Sequence, residues 1–103
     1  MTDFDFSDGE LIVYIKGDID HHFAKKIRSE VDMLMVQLMP RNLIMDLSDV
    51  GFMDSSGLGL VLGRYTKAKA AGIAFSAVNC DERIVRIFEM AGMERLIKIE
   101  GKV

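Results

Sequence analysis

Two short polar motifs hold the residues of this sequence that could take part in chemistry. Asp54, Ser55 and Ser56 precede Gly57-Leu58-Gly59, and Asp20-His21-His22 stands earlier in the chain. A hydroxyl beside a carboxylate can accept a phosphate, or act as a nucleophile when a base lies within reach. Two histidines next to an aspartate could supply that base or ligate a metal ion. The elements that carry these motifs therefore decide which chemistry is available.

The Asp54-Ser55-Ser56 motif lies where a strand gives way to a helix. Residues 42–47 form an apolar run typical of a buried strand, and the pattern of residues 56–71 predicts a helix that ends at Gly72. Unpaired N–H groups and the positive end of the helix dipole are exposed at such a junction. The junction therefore suits a phosphate, whether bound or covalently attached.

The rest of the pattern predicts an α/β fold, a mixed β-sheet with an N-terminal hairpin and helices that come from β-α-β units. Asp8-Gly9 separates the first two strands and is a hairpin signal. Asp20 and Asp81 are expected to cap the first and third helices, and Pro40 to stop the first helix after Met39. The predicted strands span residues 3–6, 11–15, 42–47, 73–78 and 96–99.

Composition indicates one small domain that works in the cytoplasm. The 103 residues include 13 Lys and Arg against 16 Asp and Glu, so the net charge is −3 and no direct contact with nucleic acid is expected. The apolar runs are shorter than the ~20 residues that span a bilayer, so no membrane partner is expected. The acidic N-terminus is unlike a signal peptide. Cys80 is alone and cannot form an internal disulfide.

The helix after the serine motif is expected to offer a docking surface for another protein. At about 100° per residue, one face would pack on the sheet and the other would be exposed. The sheet-facing set is Leu58, Val61, Leu62, Tyr65 and Ala68, and the exposed set is Ser56, Leu60, Gly63, Arg64 and Lys67, with Gly59 near the edge. An exposed leucine beside glycines suggests a flat, partly apolar dock, although an ordinary solvent-facing surface would show the same pattern.

Three other functions fit the residues less well. Gly57, Gly59 and Gly63 imitate a dinucleotide fingerprint, but the spacing is one residue too long and no acidic residue ends the next strand. A serine hydrolase would need a nucleophile elbow and oxyanion donors, which are not recognisable here. A metal site would need ligands beyond His21 and His22. No cofactor, no metal and no catalytic residue is therefore expected.

Three segments resemble the anti-sigma factor antagonists, and most closely those of sporulation. The segment from Phe52 to Tyr65, with Asp-Ser-Ser-Gly-Leu-Gly, is similar to their phosphorylation motif. Residues 17–22 and 83–97 resemble two further signatures, so the likeness spans residues 1–103 as a single STAS domain. The resemblance implies an antagonist that is not an enzyme. Unphosphorylated, it would bind an ATP- or ADP-bound anti-sigma factor serine kinase and release the sigma factor.

The resemblance also implies which residues form the site. The kinase would phosphorylate Ser55 and so end binding, and a serine phosphatase would restore it. Ser56 would cap the helix or hold the turn, or be a secondary phosphorylation site. The alternative role is a ligand-sensing or scaffold subunit of a stress-signalling assembly. The expected partner-binding residues are Asp20, Asp54, Ser56, Gly57, Gly59, Leu60, Gly63 and Arg64.

Overall fold

A computed structural model describes residues 2–102 as one sheet with helices packed on it. Five strands and three α-helices alternate in the order that the sequence pattern predicts, with a short 3-10 helix before the last strand. The strands are β1 (Asp3–Ser7), β2 (Glu10–Lys16), β3 (Asn42–Asp49), β4 (Ala74–Cys80) and β5 (Lys98–Gly101). The helices are α1 (His21–Leu38), α2 (Ser55–Ala70) and α3 (Glu82–Met90), and the 3-10 helix is Met93–Arg95.

The sheet is mixed, as predicted. Its strands lie in the order β1-β2-β3-β4-β5. The β1–β2 pair is antiparallel, and each later pair is parallel. Asp8 and Gly9 form the turn between β1 and β2 with φ values of 51° and 76°. Two successive positive φ values are typical of a type I′ hairpin turn, whose twist matches that of the flanking strands. Parallel strands place all their carboxyl ends at one edge of the sheet, where α1, α2 and α3 begin.

The last strand begins later than the sequence pattern predicts. Gly92 adopts φ 72°, the left-handed conformation that commonly ends a helix. The chain then makes the 3-10 turn at Met93–Arg95 and enters β5 only at Lys98. Leu96 is exposed and Ile97 is buried, but neither belongs to the strand. The expected strand 96–99 is therefore shifted by two residues, because its apolar start serves the turn.

The core lies between one face of the sheet and the helices. Alternate residues of β2 and β3 are fully buried, and those between them are half-buried apart from Asp46, which is also buried. These buried strand residues are Leu11, Val13, Ile15, Leu43, Met45 and Leu47. Helix α1 adds Ile27 and Val31, and α3 adds Ile84 and Phe88. The apolar layer thus fixes the positions of the helix N-termini above the sheet.

Asp46 is the buried carboxylate of β3, and hydrogen bonds stabilise its charge. Its Oδ1 accepts from the backbone N–H of Ser48 at 2.9 Å, and its Oδ2 accepts from Asn79 Nδ2 at 2.9 Å. Burial raises the pKa of Asp46, but the hydrogen bonds from Ser48 and Asn79 outweigh it, so the pKa lies below its usual value. Asp46 therefore stays ionised and links the ends of β3 and β4.

Candidate functional site

The segments that follow β2 and β3 are bound to each other. The Ile19 N–H donates to the Phe52 carbonyl at 3.0 Å, and the Asp54 N–H donates to the Ile19 carbonyl at 3.3 Å. Ile19 and Met53 form an isolated parallel bridge, and both side chains are buried. The two polar motifs of the sequence therefore lie side by side, because the two strands before them are neighbours in the sheet.

Both motifs begin a helix with an aspartate cap. Asp20 Oδ1 accepts from the Phe23 N–H at 2.8 Å and caps α1, as the sequence predicts. Asp54 Oδ1 accepts from the Ser56 N–H at 2.8 Å and caps α2. The capping role proposed for the Ser56 hydroxyl is therefore wrong, because the neighbouring carboxylate already fills it. A carboxylate is also the better charge partner for the positive end of the helix dipole.

Ser55 is the first residue of α2 and is exposed to solvent. Within residues 2–102 its hydroxyl forms no hydrogen bond. Such a side chain can be presented to another protein without breaking any contact of the fold. His21 and His22 lie at the neighbouring helix start, but neither is hydrogen-bonded to either serine among the described residues. The arrangement lacks the serine–base pair of a nucleophilic enzyme.

The three glycines of α2 serve two different purposes. A Cβ atom on Gly57 would lie 2.7 Å from Met53 Cβ and 3.0 Å from its Sδ, so this glycine allows the buried Met53 to pack under the helix. A Cβ atom on Gly59 or Gly63 would meet nothing within 4 Å. Packing therefore does not require glycine at these two positions, where the absence of a side chain leaves the outer surface of α2 flat.

The exposed and buried faces of α2 differ from those that the sequence predicts. Leu60 and Arg64 are each 4% exposed and lie in the interior, whereas Leu62, expected on the sheet, is 40% exposed. The reason is that α2 packs on α1 as well as on the sheet, so its buried face is displaced toward the residues that lie near α1. The buried positions are Gly57, Leu60, Val61, Arg64 and Ala68. Leu60 and Arg64 therefore do not offer the exposed surface expected of them.

Arg64 joins α2 to α1 through a cluster of charges. Its Nε lies 3.0 Å from Asp32 Oδ1, and Lys67 Nζ lies 3.0 Å from Asp32 Oδ2. Burial lowers the pKa of Arg64, Asp32 opposes that shift, and the positive charge of Arg28 adds to it. Two cations share one carboxylate here, so the space between the helices carries an excess of positive charge.

A groove between α1 and α2 opens beside the serine motif. Its volume is about 470 Å³. It is lined by His21, Ala24, Lys25, Arg28, Ser56, Gly59 and Leu60. Lys25 and Arg28 were not among the expected site residues. Their signal in the sequence was their spacing of four and seven residues from His21, which places all three on one helix face.

Comparison with known proteins decides the family. The STAS domain family matches residues 2–103. The chain is a STAS domain. Two of its relatives are an anti-sigma F factor antagonist of Paenibacillus polymyxa and an anti-sigma-B factor antagonist of Bacillus subtilis. The first is 31% identical over 91 residues, which cover 88% of this chain and 78% of the relative. The second is 32% identical over 96 residues, covering 93% and 86%.

Solved structures confirm the STAS fold. The anti-sigma factor antagonist SpoIIAA in its unphosphorylated form has a TM-score of 0.81 and 24% identity, with 96% of this STAS domain and 87% of that chain covered. An anti-sigma factor antagonist from Mycobacterium paratuberculosis has a TM-score of 0.87 and 23% identity, with 100% and 86% covered. The predicted α/β architecture and the family resemblance are both confirmed.

Within residues 2–102, the structure provides neither a metal site nor a reactive thiol. Residues 2–102 contain no group of three His, Cys, Asp or Glu side chains placed to hold a metal ion. No helix in that range is long and apolar enough to cross a bilayer. Cys80 is buried, and burial raises the pKa of its thiol to about 12, which leaves it protonated and unreactive. The candidate site is therefore the start of α2, with Asp54 and Ser55, together with the groove beside it.

Proposed function

We propose that this STAS domain is a cytoplasmic anti-sigma factor antagonist controlled by phosphorylation of Ser55. The unphosphorylated form binds an anti-sigma factor serine kinase and thereby releases the sigma factor. The kinase phosphorylates Ser55, the complex dissociates, and a serine phosphatase returns the antagonist to its binding form. The protein is then a substrate and a binding partner rather than an enzyme.

One observation carries this proposal. Ser55 is exposed at the first position of α2, and its hydroxyl forms no hydrogen bond within residues 2–102. The backbone pairing of Ile19 with Met53 positions the turn that precedes it. A kinase supplies the base and the phosphate, so the acceptor site needs only to be accessible. The printed names of the relatives, anti-sigma F and anti-sigma-B factor antagonists, support the same role. SpoIIAA, a structural neighbour, has also been solved in a phosphorylated form.

The electrostatics explain how a phosphate at Ser55 would end binding. The phosphate adds about −1.5 to −2 charges at pH 7. The N-terminus of α2 returns only about 0.3–1 kcal/mol through its dipole. The Asp54 carboxylate is one residue away, and a like charge at ~6 Å and an effective dielectric of ~20 costs roughly 3 kcal/mol per unit charge. Solvent relieves this repulsion in the free protein, but a docked interface excludes that solvent.

The size of that penalty is sufficient for a switch. A loss of about 3 kcal/mol in binding free energy weakens affinity by roughly a hundredfold. The hydrogen bonds of α2 and its Asp54 cap do not involve the Ser55 hydroxyl, so phosphorylation need not unfold the helix. The switch therefore acts on the interface rather than on the fold.

A kinase assay tests the proposal. The purified protein is incubated with ATP and each anti-sigma factor kinase of the source organism, and phosphopeptides are identified by mass spectrometry. We expect one phosphate on Ser55, none on Ser55→Ala, and normal incorporation by the matched control Ser56→Ala, whose hydroxyl does not cap the helix. Equal incorporation by wild type and Ser55→Ala would show that the acceptor is elsewhere.

A further inference from the structure

The groove between α1 and α2 has one cationic wall and one neutral wall. His21, Lys25 and Arg28 of α1 form the first wall, and Ser56 and Gly59 of α2 form the second. Among its lining residues, none is acidic. The protein as a whole carries a net charge of −3, so the groove has the opposite sign to the rest of the molecule.

The two strong cations of this wall are unpaired within the described chain. The side chains of Lys25 and Arg28 form no ion pair or hydrogen bond with any residue from 2 to 102, although the Lys25 carbonyl accepts from the Ser29 hydroxyl. Lys26, the next residue, has the Glu30 carboxylate near enough to lower the pKa of that group. Lys26 therefore has an acidic neighbour that its charge affects, whereas the side chains of Lys25 and Arg28 form no ion pair with a carboxylate among residues 2–102.

The two strong cations of the groove lie close to each other along α1. Lys25 and Arg28 are three positions apart, and like charges at that spacing destabilise a helix. The first turn of α1 contains no acidic residue, so the Asp20 carboxylate at the N-cap supplies the negative charge at this end of the helix. The nearest carboxylate on the same side, Asp32, is already shared by Arg64 and Lys67. Within residues 2–102, no ion pair of Lys25 or Arg28 offsets the repulsion between these two side chains.

The position of the groove indicates what occupies it. Ser56 is adjacent to Ser55 and lines the groove, so a protein that reaches the Ser55 hydroxyl also covers this opening. Gly59 leaves the α2 wall flat, since nothing lies within 4 Å of a Cβ at that position. A flat wall and an open cationic wall fit an extended or helical protein segment with carboxylates along one side.

We propose that the groove receives an acidic segment of the anti-sigma factor kinase, whose carboxylates contact Lys25 and Arg28. This inference rests on the proposed function and names the chemistry of the partner surface. The cationic wall selects and orients the kinase, while Ser55 on the other helix carries the phosphate. Choice of partner and control of binding are therefore assigned to different helices.

Charge reversal with a matched control tests the groove. The groove variant is Lys25→Glu with Arg28→Glu, and the control is Lys26→Glu with Lys69→Glu, which changes the net charge by the same amount outside the groove. Kinase affinity is measured by calorimetry at two salt concentrations, after circular dichroism shows that both variants are folded. We expect the groove variant to bind at least about tenfold more weakly and to lose salt dependence, and the control to change affinity by less than about threefold. If the reversal unfolds the protein, Lys25→Gln and Lys26→Gln repeat the comparison.

Chemical crosslinking tests the same contact directly. A carbodiimide joins a lysine amine to a carboxylate in contact with it as an amide. In the kinase complex, we expect Lys25 to be linked to Asp or Glu of the kinase and Lys26 to form no link to the kinase. Equal affinities of groove and control variants, with no crosslink at Lys25, would overturn the groove proposal even if the kinase binds and phosphorylates Ser55. Absence of any kinase binding by the wild type would overturn the proposed function as well.

Discussion

Alanine substitutions at the glycines of α2 are expected to change stability in opposite directions. In Gly57→Ala, the new Cβ would lie 2.7 Å from Met53 Cβ, an atom that cannot swing away as the end of a side chain could. Overpacking of this kind costs about 1–3 kcal/mol. The better helix propensity of alanine returns at most about 1 kcal/mol. When the full propensity gain is subtracted, we expect a net loss of up to about 2 kcal/mol in the free energy of unfolding.

Gly59→Ala is the matched comparison, on the same helix and with the same chemical change. No atom lies within 4 Å of its new Cβ, so only the propensity gain of about 0.5–1 kcal/mol remains. For a domain of this size, 1 kcal/mol shifts the melting temperature by about 4–8 °C. Thermal and urea unfolding followed by circular dichroism should therefore rank Gly59→Ala above wild type and Gly57→Ala below it.

The same pair separates packing from docking. Gly59→Ala places a methyl group on the wall of the groove, so a more stable protein should bind the kinase more weakly. If Gly57→Ala proves as stable as Gly59→Ala, the close approach to Met53 does not limit that position. If Gly59→Ala binds the kinase as well as wild type, the flat wall is not part of the interface.

Two further predictions concern the interior. Leu60→Ala should destabilise the fold by about 2–5 kcal/mol because the side chain is buried, whereas Leu62→Ala, on the exposed face, should cost far less. Urea unfolding measures both changes. Similar losses of unfolding free energy in the two variants would mean that Leu60 is not more buried than Leu62. The pKa of Asp46 is lower in the folded protein than in the unfolded chain, where it is near 4. The ionised Asp46 side chain therefore stabilises the fold above about pH 4, and this contribution is lost as the pH falls through the pKa of the folded state. Asp46→Asn should therefore flatten the fall in unfolding free energy as the pH is lowered below about 4. An unchanged profile would show that other carboxylates cause the fall.

The order of elements was predictable because its signals are local. Asp8-Gly9, Pro40 and the aspartate caps each act within a few residues of the chain, and the structure places them as expected. The late start of β5 was not predictable from the apolar pattern, since Leu96 and Ile97 suit a strand as well as a turn. Their placement depends on the left-handed Gly92 and on where β4 allows β5 to pair.

The site was predictable as a motif but not as a surface. The Asp54-Ser55-Ser56 junction follows from the strand that precedes it and the helix that follows it. Which side of α2 is exposed depends on α1, a neighbour that a single helical pattern does not reveal. Leu60 and Arg64 were therefore assigned to the wrong side of α2. The spacing of Lys25 and Arg28 places them on one face of α1 with His21, but the groove that they line also depends on the position of α2.

The pairing of Ile19 with Met53 makes the conformation of the Ser55 turn depend on a distant part of the chain. Residues distant in the chain hold the Ser55 turn in place, and a peptide cut from residues 50–60 would lack that support and sample many conformations. An enzyme that modifies Ser55 in this setting reads a three-dimensional shape rather than a linear consensus. Only a correctly folded molecule would then count as a substrate, and an unfolded or misassembled one would be ignored.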